Sequence, residues 1–255
     1  MKQIIDFTVV SNKPLNHEHF VLELRSDKTL PEISAGQFVE VRVDGSENTM
    51  LRRPISVHDV DYDKNILSLF IKKVGEGTHH LSELTEGDNL NIILPLGKGF
   101  TLPDSSNVLL VGGGCGVAPM LYLARKIAEK GLRPCILLGG KTKTDISGIA
   151  AYQAFGKVAI TTEDGSEGVK GFVSDHPWMK QDTPDYKLLY ACGPEPMMKA
   201  VNDFGKKHDI NTEVSLEHTM ACGFGACLTC VVDTTKGHQL TCKDGPVFNT
   251  KELKW

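Results

Sequence analysis

A β barrel, then a parallel α/β nucleotide-binding sheet, then a small carboxyl-terminal unit organised by cysteines is the fold this sequence predicts. Three observations predict it. Up to about residue 102, six short runs of alternating apolar and polar residues are separated by polar, Gly or Pro turns. After residue 103, apolar runs ending in glycine alternate with amphipathic stretches, the signature of strand–helix units. Four of the seven cysteines fall after residue 221. The boundaries expected are 1–102, 103–212 and 213–255.

The barrel strands are read from QIIDFTVV, HFVLELRS, GQFVEVRV, RPISVHDV, NILSLFIKKV and DNLNIILPL. In the second unit, strand NVLLVGGG leads into helix VAPMLYLARKIAEKG, whose last residue, Gly131, suits a helix end. Strand RPCILLGG, helix TDISGIAAYQAFG and strand KVAITTED follow, then strand YKLLYACGP and helix EPMMKAVNDFGKKH. A last strand, NTEVSLEH, enters the cysteine segment.

Composition narrows the functions. With 255 residues the chain holds two ordinary domains and an appendage. A net charge of −4 gives no electrostatic reason for nucleic-acid binding. No apolar run approaches a membrane span, and MKQIIDFTVVSNKP reads as a first strand rather than a signal peptide. Cysteine usage suits a reducing cytoplasm. There is no nucleophile elbow, H-E-x-x-H or P-loop, so hydrolytic chemistry is disfavoured and no residue is assigned as catalytic acid, base or nucleophile.

Cys222, Cys227, Cys230 and Cys242 are spaced C-x4-C-x2-C-x11-C, and the first three match the plant-type loop that holds a [2Fe–2S] cluster. Gly223, Gly225 and Ala226 suit a chain that must wrap tightly and bring amides to sulfur. A structural zinc site is the main alternative, although zinc more often takes two short Cys knuckles and only Cys227–Cys230 forms one; disulfides are the second, and nothing points to an oxidising compartment. Gly112-Gly113-Gly114-Cys115-Gly116-Val117-Ala118-Pro119 lies between strand and helix, where nucleotide phosphates bind, though its spacing is not G-x-G-x-x-G; the alternative, a tight turn without a ligand, is disfavoured by three consecutive glycines and a fourth. Cys192-Gly193-Pro194 ends a later strand, so Cys192 is expected in the same crevice, unless it is an inert buried thiol. In Arg52-Arg53-Pro54-Ile55-Ser56 one arginine could fork onto a phosphate or simply be solvated. Gly75-Glu76-Gly77-Thr78 offers amides and a hydroxyl to an anion. Glu163-Asp164 follow a strand where an acid could accept a ribose hydroxyl or merely solvate a turn.

These motifs, in this order, resemble the ferredoxin–NAD(P) reductase superfamily, in which a flavin-binding barrel precedes a nicotinamide-binding domain. The resemblance implies that Arg53, Pro54, Ile55 and Ser56 form the flavin motif, with Ile55 where tyrosine usually stands. It adds Phe70, Ile71 and Lys72 along the flavin and Gly77 and Thr78 at its phosphates. It implies that Gly112, Gly113, Gly114, Gly116, Cys192, Gly193 and Pro194 bind NAD, with Glu163 at the ribose. RRPIS, MACGFGACLTC and TCKDGPVF further resemble the electron-transfer subunits of NAD-dependent dihydroorotate dehydrogenase type B. That resemblance implies FAD and a [2Fe–2S] cluster on the four cysteines, NAD as co-substrate, and an FMN-containing catalytic partner in a heterotetramer with two copies of each chain. The small subunits of bifurcating NADH-dependent ferredoxin–NADP oxidoreductases share the layout. There the first ligand position resembles an aspartate in a DGTGMCG-like run, where this chain has Cys222.

Overall fold

The computed structural model describes residues 2–46, 48–146 and 148–255. The first six strands are β1 (Gln3–Pro14), β2 (His19–Arg25), β3 (Phe38–Val41), β4 (Arg53–Asp61), β5 (Ile66–Lys72) and β6 (Asn89–Leu96). They close into an antiparallel barrel in the order β1-β2-β5-β4-β3-β6. Strand alternation fills it: Ile5, Phe7 and Val9 of β1, Phe20, Leu22 and Leu24 of β2, and Leu67, Leu69 and Ile71 of β5 all share one core. Each such side chain taken from water contributes about 1.5–3 kcal/mol. A short helix, α1 (Glu76–Glu83), interrupts the barrel where sequence showed no long helix.

The second unit is a seven-stranded sheet. Its strands are β7 (Val108–Gly113), β8 (Cys135–Gly140), β9 (Lys157–Thr162), β10 (Val169–Lys170), β11 (Leu188–Cys192), β12 (Asn211–Ser215) and, nearer the carboxyl end, β15 (Val247–Asn249), ordered β10-β9-β8-β7-β11-β12-β15. All pair in parallel except β15. The chain steps outward from β7 to β8 and β9, then returns to lay β11 on the other side of β7. Strand order therefore reverses between β7 and β11, and a crevice opens at their carboxyl ends. Helices α2 (Ala118–Glu129), α3 (Ile149–Phe155) and α4 (Glu195–Lys207) cross between strands. Ser147, inside the stretch read as the beginning of α3, lies outside the described residues.

Helix α2 ties barrel to sheet. Pro119 opens it, where a missing amide costs nothing, and Gly131 at φ 78° ends it. Its Tyr122 hydroxyl donates to the Ile33 carbonyl at 2.9 Å, and His58 Nδ1 of β4 meets the Ala118 carbonyl at 2.8 Å. Arg125 pairs with Asp59 at 3.0 Å. The carboxyl-terminal segment also rests on both units. β12 straddles residue 212 and β15 brings residues 247–249 back to the same sheet, while β13 (Val231–Thr234) and β14 (Gly237–Leu240) form a separate hairpin. Met220, Cys230 and Cys242 pack on Phe38 and Leu96 of the barrel.

Candidate functional site

Two adjoining clefts and a cysteine loop make up the site. The smaller cleft, about 390 Å³, is lined by Arg53, Pro54, Ile55 and Ser56 of β4, Phe70, Ile71 and Lys72 of β5, and Thr78 of α1. Antiparallel pairing of β4 with β5 sets these two runs side by side. The two arginines divide: Arg52 donates to the Asn91 carbonyl at 2.8 Å and clamps β6, whereas Arg53 opens onto the cleft. Gly77 is where it is because Arg53 is there; a Cβ at residue 77 would sit 3.3 Å from Arg53 Cδ and 3.0 Å from Thr49 Cγ2. The Thr78 hydroxyl accepts from the amides of Val74 and Gly75 at 2.9 and 3.2 Å and so shapes the turn into α1. A fork-shaped cation beside a helix start suits a pyrophosphate. An apolar floor of Ile55 and Phe70 suits a flat ring.

The larger cleft, about 1050 Å³, lies at the strand-order reversal and is lined by Gly113, Gly114, Gly116, Gly193, Pro194 and Glu163. Gly112 and Cys192 do not line it. They pair across β7 and β11, so both belong to the sheet beneath. A Cβ on Gly112 would meet Val117 Cα at 3.0 Å. Cys192 is 1% exposed, and burial pushes its thiol up. Its contribution is the backbone: a Cβ on Gly116 would stand 2.0 Å from the Cys192 carbonyl oxygen, so glycine there lets the two loops touch. Of the acidic pair, Asp164 is spent on a turn, accepting from the amide and hydroxyl of Ser166 at 2.9 and 2.6 Å. Glu163 is the one that faces the cleft.

Lys72, Cys115, Glu217 and His218 border both clefts. The sequence reading passed over the last three. Cys115 is the variable position inside the glycine run, and Glu217 and His218 follow a strand with no motif around them. Burial, then the Glu217 charge, pushes the Cys115 thiol up to about 11. Burial also raises the Glu217 carboxyl.

Side-chain hydrogen bonding links Cys222 with Cys227 and Cys230 with Cys242, and Cys242 also feels the Cys222 charge, so the four thiols share one loop region. Gly223 and Gly225 at φ 70° and 96°, with Leu228 at 61°, wrap the chain in left-handed turns. Burial pushes the Cys222 thiol up, but the amides of Phe224, Cys227 and Ala226 outweigh it and lower it; the Ala226 amide is 3.2 Å from Sγ. Hydrogen bonding from Thr229 brings Cys227 down to about 6. Amides directed at sulfur favour thiolate ligands. Thiols gathered in twos fit a cluster in which each of two irons takes two thiolates.

Comparison with known proteins agrees with each part. Residues 5–100 match an oxidoreductase FAD-binding domain, 110–203 an oxidoreductase NAD-binding domain, and 217–254 the iron-sulfur cluster binding domain of dihydroorotate dehydrogenase B. The electron transfer subunit of dihydroorotate dehydrogenase B (NAD(+)) from Shouchella clausii is 37% identical over 96% of both chains. The subunit of the same name from Caldanaerobacter subterraneus is 38% identical over 96% of both. The chain belongs to the family of dihydroorotate dehydrogenase B (NAD(+)) electron-transfer subunits. A solved structure of an NADH-dependent reduced ferredoxin–NADP oxidoreductase superposes with a TM-score of 0.88 at 29% identity, over 98% of this chain and 90% of that one. Phthalate dioxygenase reductase, at 18% identity and a TM-score of 0.67, shares the fold. A member of this electron-transfer family is an oxidoreductase subunit that uses FAD, NAD and an iron–sulfur cluster, and the clefts and thiol pairs described above have the chemistry for all three. Among the described residues no helix is long and apolar enough to cross a membrane.

Proposed function

We propose that this chain passes electrons from an FMN-containing dihydroorotate dehydrogenase catalytic subunit, by way of a [2Fe–2S] cluster and FAD, to NAD⁺ in pyrimidine (UMP) biosynthesis. The observation that carries this reading is the adjacency of the two clefts, which share Lys72, Cys115 and Glu217 and lie beside a loop of paired thiols. A nicotinamide exchanges a hydride and a cluster exchanges single electrons; a flavin supplies the chemistry that joins them. Arg53, Gly77 and Thr78 would hold the flavin phosphates. Ile55, Ser56, Phe70, Ile71 and Lys72 would border its ring. Gly113, Gly114, Gly116, Gly193 and Pro194 would hold the dinucleotide, with Gly112 and the Cys192 backbone keeping their loops in contact. Cys222, Cys227, Cys230 and Cys242 would ligate the irons.

Cys227 is exposed, and Phe224 and Leu228 beside it are 47% and 62% exposed. That apolar surface at the cluster loop supports a partner that hands over electrons there. A reducing cytoplasm is the compartment that suits thiol ligands, and two copies of each chain is the assembly we expect. The chain co-purified with such a catalytic subunit is expected to contain flavin and about two irons per copy and to reduce NAD⁺ with dihydroorotate. Failure to form the complex, or a colourless zinc protein, would overturn the proposal.

Glu163 bears on nucleotide choice. Its carboxylate would accept a ribose hydroxyl and repel a 2′-phosphate. Glu163→Gln is expected to improve NADP⁺ use relative to NAD⁺ by about tenfold, the equivalent of removing about 1.4 kcal/mol of like-charge repulsion. An unchanged ratio of kcat/KM values would place discrimination elsewhere.

A further inference from the structure

Glu40 is a carboxylate in a place that gives it nothing to bind. It lies on β3, which is covered on both faces, and is 0% exposed. Neither carboxylate oxygen has a hydrogen-bond partner among the described residues. Alternation along β3 sends Val39 and Val41 into the barrel core and puts Glu40 on the opposite face with Phe38. Phe38 lines the flavin cleft and packs on Met220, Cys230 and Cys242. Across the ladder Glu40 faces Pro54, which has no amide to offer. Its side chain reaches the cysteine loop: a Cβ on Gly223 would lie 2.5 Å from both Glu40 Cγ and Oε1. Burial pushes its carboxyl up to about 7, Arg53 and Arg52 pull it down and Cys227 pushes it up, so it carries its full charge only above neutral pH. Arg53 faces the flavin cleft, Arg52 is held on Asn91, and Cys227 belongs to the loop.

Burying a carboxylate without partners costs free energy, and an unsatisfied buried group in a native protein calls for a reason. We infer that Glu40 is a positioning residue for electron transfer, whose negative charge, lodged between Arg53 and the Cys222–Cys227 loop, disfavours an added electron on the cluster and biases electrons toward the flavin. The inference rests on the reading of the four cysteines as [2Fe–2S] ligands. Reduction of the site would add one electron and one unit of negative charge; well above neutral pH Glu40 stays ionised, so no bond would form or break and the carboxylate would take up no proton. A like charge held close by in a medium poorer than water raises the cost of that electron. Cluster potentials respond to local charge and to hydrogen bonds at sulfur. A cluster that gives up its electron readily suits flow from dihydroorotate toward NAD⁺.

The test is a redox titration of the full chain, followed by the electron paramagnetic resonance of the reduced cluster, well above neutral pH. Glu40→Gln keeps the shape and removes the charge. Its cluster midpoint is expected to rise by the equivalent of about tenfold or more in the one-electron equilibrium, about 59 mV. Glu40→Asp keeps the charge and is expected to stay near wild type. If Glu40→Gln does not fold, Glu40→Leu supplies a second neutral side chain and the same direction of shift is required of it. Equal midpoints in wild type and the neutral variant overturn the inference. So do equal shifts in the Gln and Asp variants, which would mark packing rather than charge. A wild-type chain without a cluster signal overturns the cluster reading, and the inference with it.

Discussion

Cys222→Ser is expected to stop NAD⁺-linked dihydroorotate oxidation by the reconstituted complex while leaving the flavin half of the chain working. Three amides converge on the Cys222 sulfur, and its partner Cys227 is drawn down to about 6. Both features prepare thiolates for a soft metal site. A hydroxyl is a hard, weakly acidic replacement. Loss of one direct ligand is expected to lower complex turnover by about 100-fold or more, beyond the tenfold to hundredfold typical of losing a supporting hydrogen bond. Iron content falls in parallel. NADH-dependent reduction of a flavin-reactive dye should stay within about twofold of wild type, because Cys222 lines neither cleft and stable elements away from such sites tolerate change. Retention of both irons and of full NAD⁺ reduction would show that electrons do not leave by this loop.

The second large effect is expected at Gly116. Adding one carbon there places it 2.0, 2.2 and 2.4 Å from the Cys192 oxygen, the Cys192 carbonyl carbon and the Gly193 nitrogen. All three are backbone atoms, so no side chain can rotate away. Gly116→Ala must wedge the glycine loop off the end of β11, where β7 and β11 pair through Gly112 and Cys192. Overpacking of this kind costs about 3 kcal/mol. The KM for NADH is expected to rise about tenfold or more, since a misplaced loop loses positioning as well as contact. Gly114→Ala is the control. It has φ 55° but nothing within 4 Å of the added carbon, so only the backbone term of about 1–2 kcal/mol applies. Equal losses at the two positions, measured as urea midpoints, would show that loop contact is not what Gly116 protects.

The elements most readable from sequence were those whose signal is local. Six alternating runs became the six barrel strands because alternation needs only a covered face. The glycine run between β7 and α2, and the thiol spacing of the carboxyl-terminal loop, are short-range patterns whose chemistry depends on few neighbours. Helix α1 was less visible, because eight residues carry little periodicity and the turn that starts it depends on the Thr78 hydroxyl. Cys115 and Glu217 were invisible as site residues. What makes them so is the packing of barrel against sheet through α2, which brings two clefts to a common border.

The amino-acid sequence by itself determined the order of the three units, the thiol spacing of the carboxyl-terminal loop and the glycine turn between β7 and α2, since each is written in adjacent residues. Tertiary structure alone decided between neighbours of equal chemistry. It spent Arg52 on Asn91 and left Arg53 open to the smaller cleft; it spent Asp164 on Ser166 and left Glu163 facing the larger one. It turned Cys192 inward, so that only its backbone serves the cleft, and set Glu40 against Gly223 with no partner. These choices follow from strand register and from which segments, distant in sequence, close over a side chain.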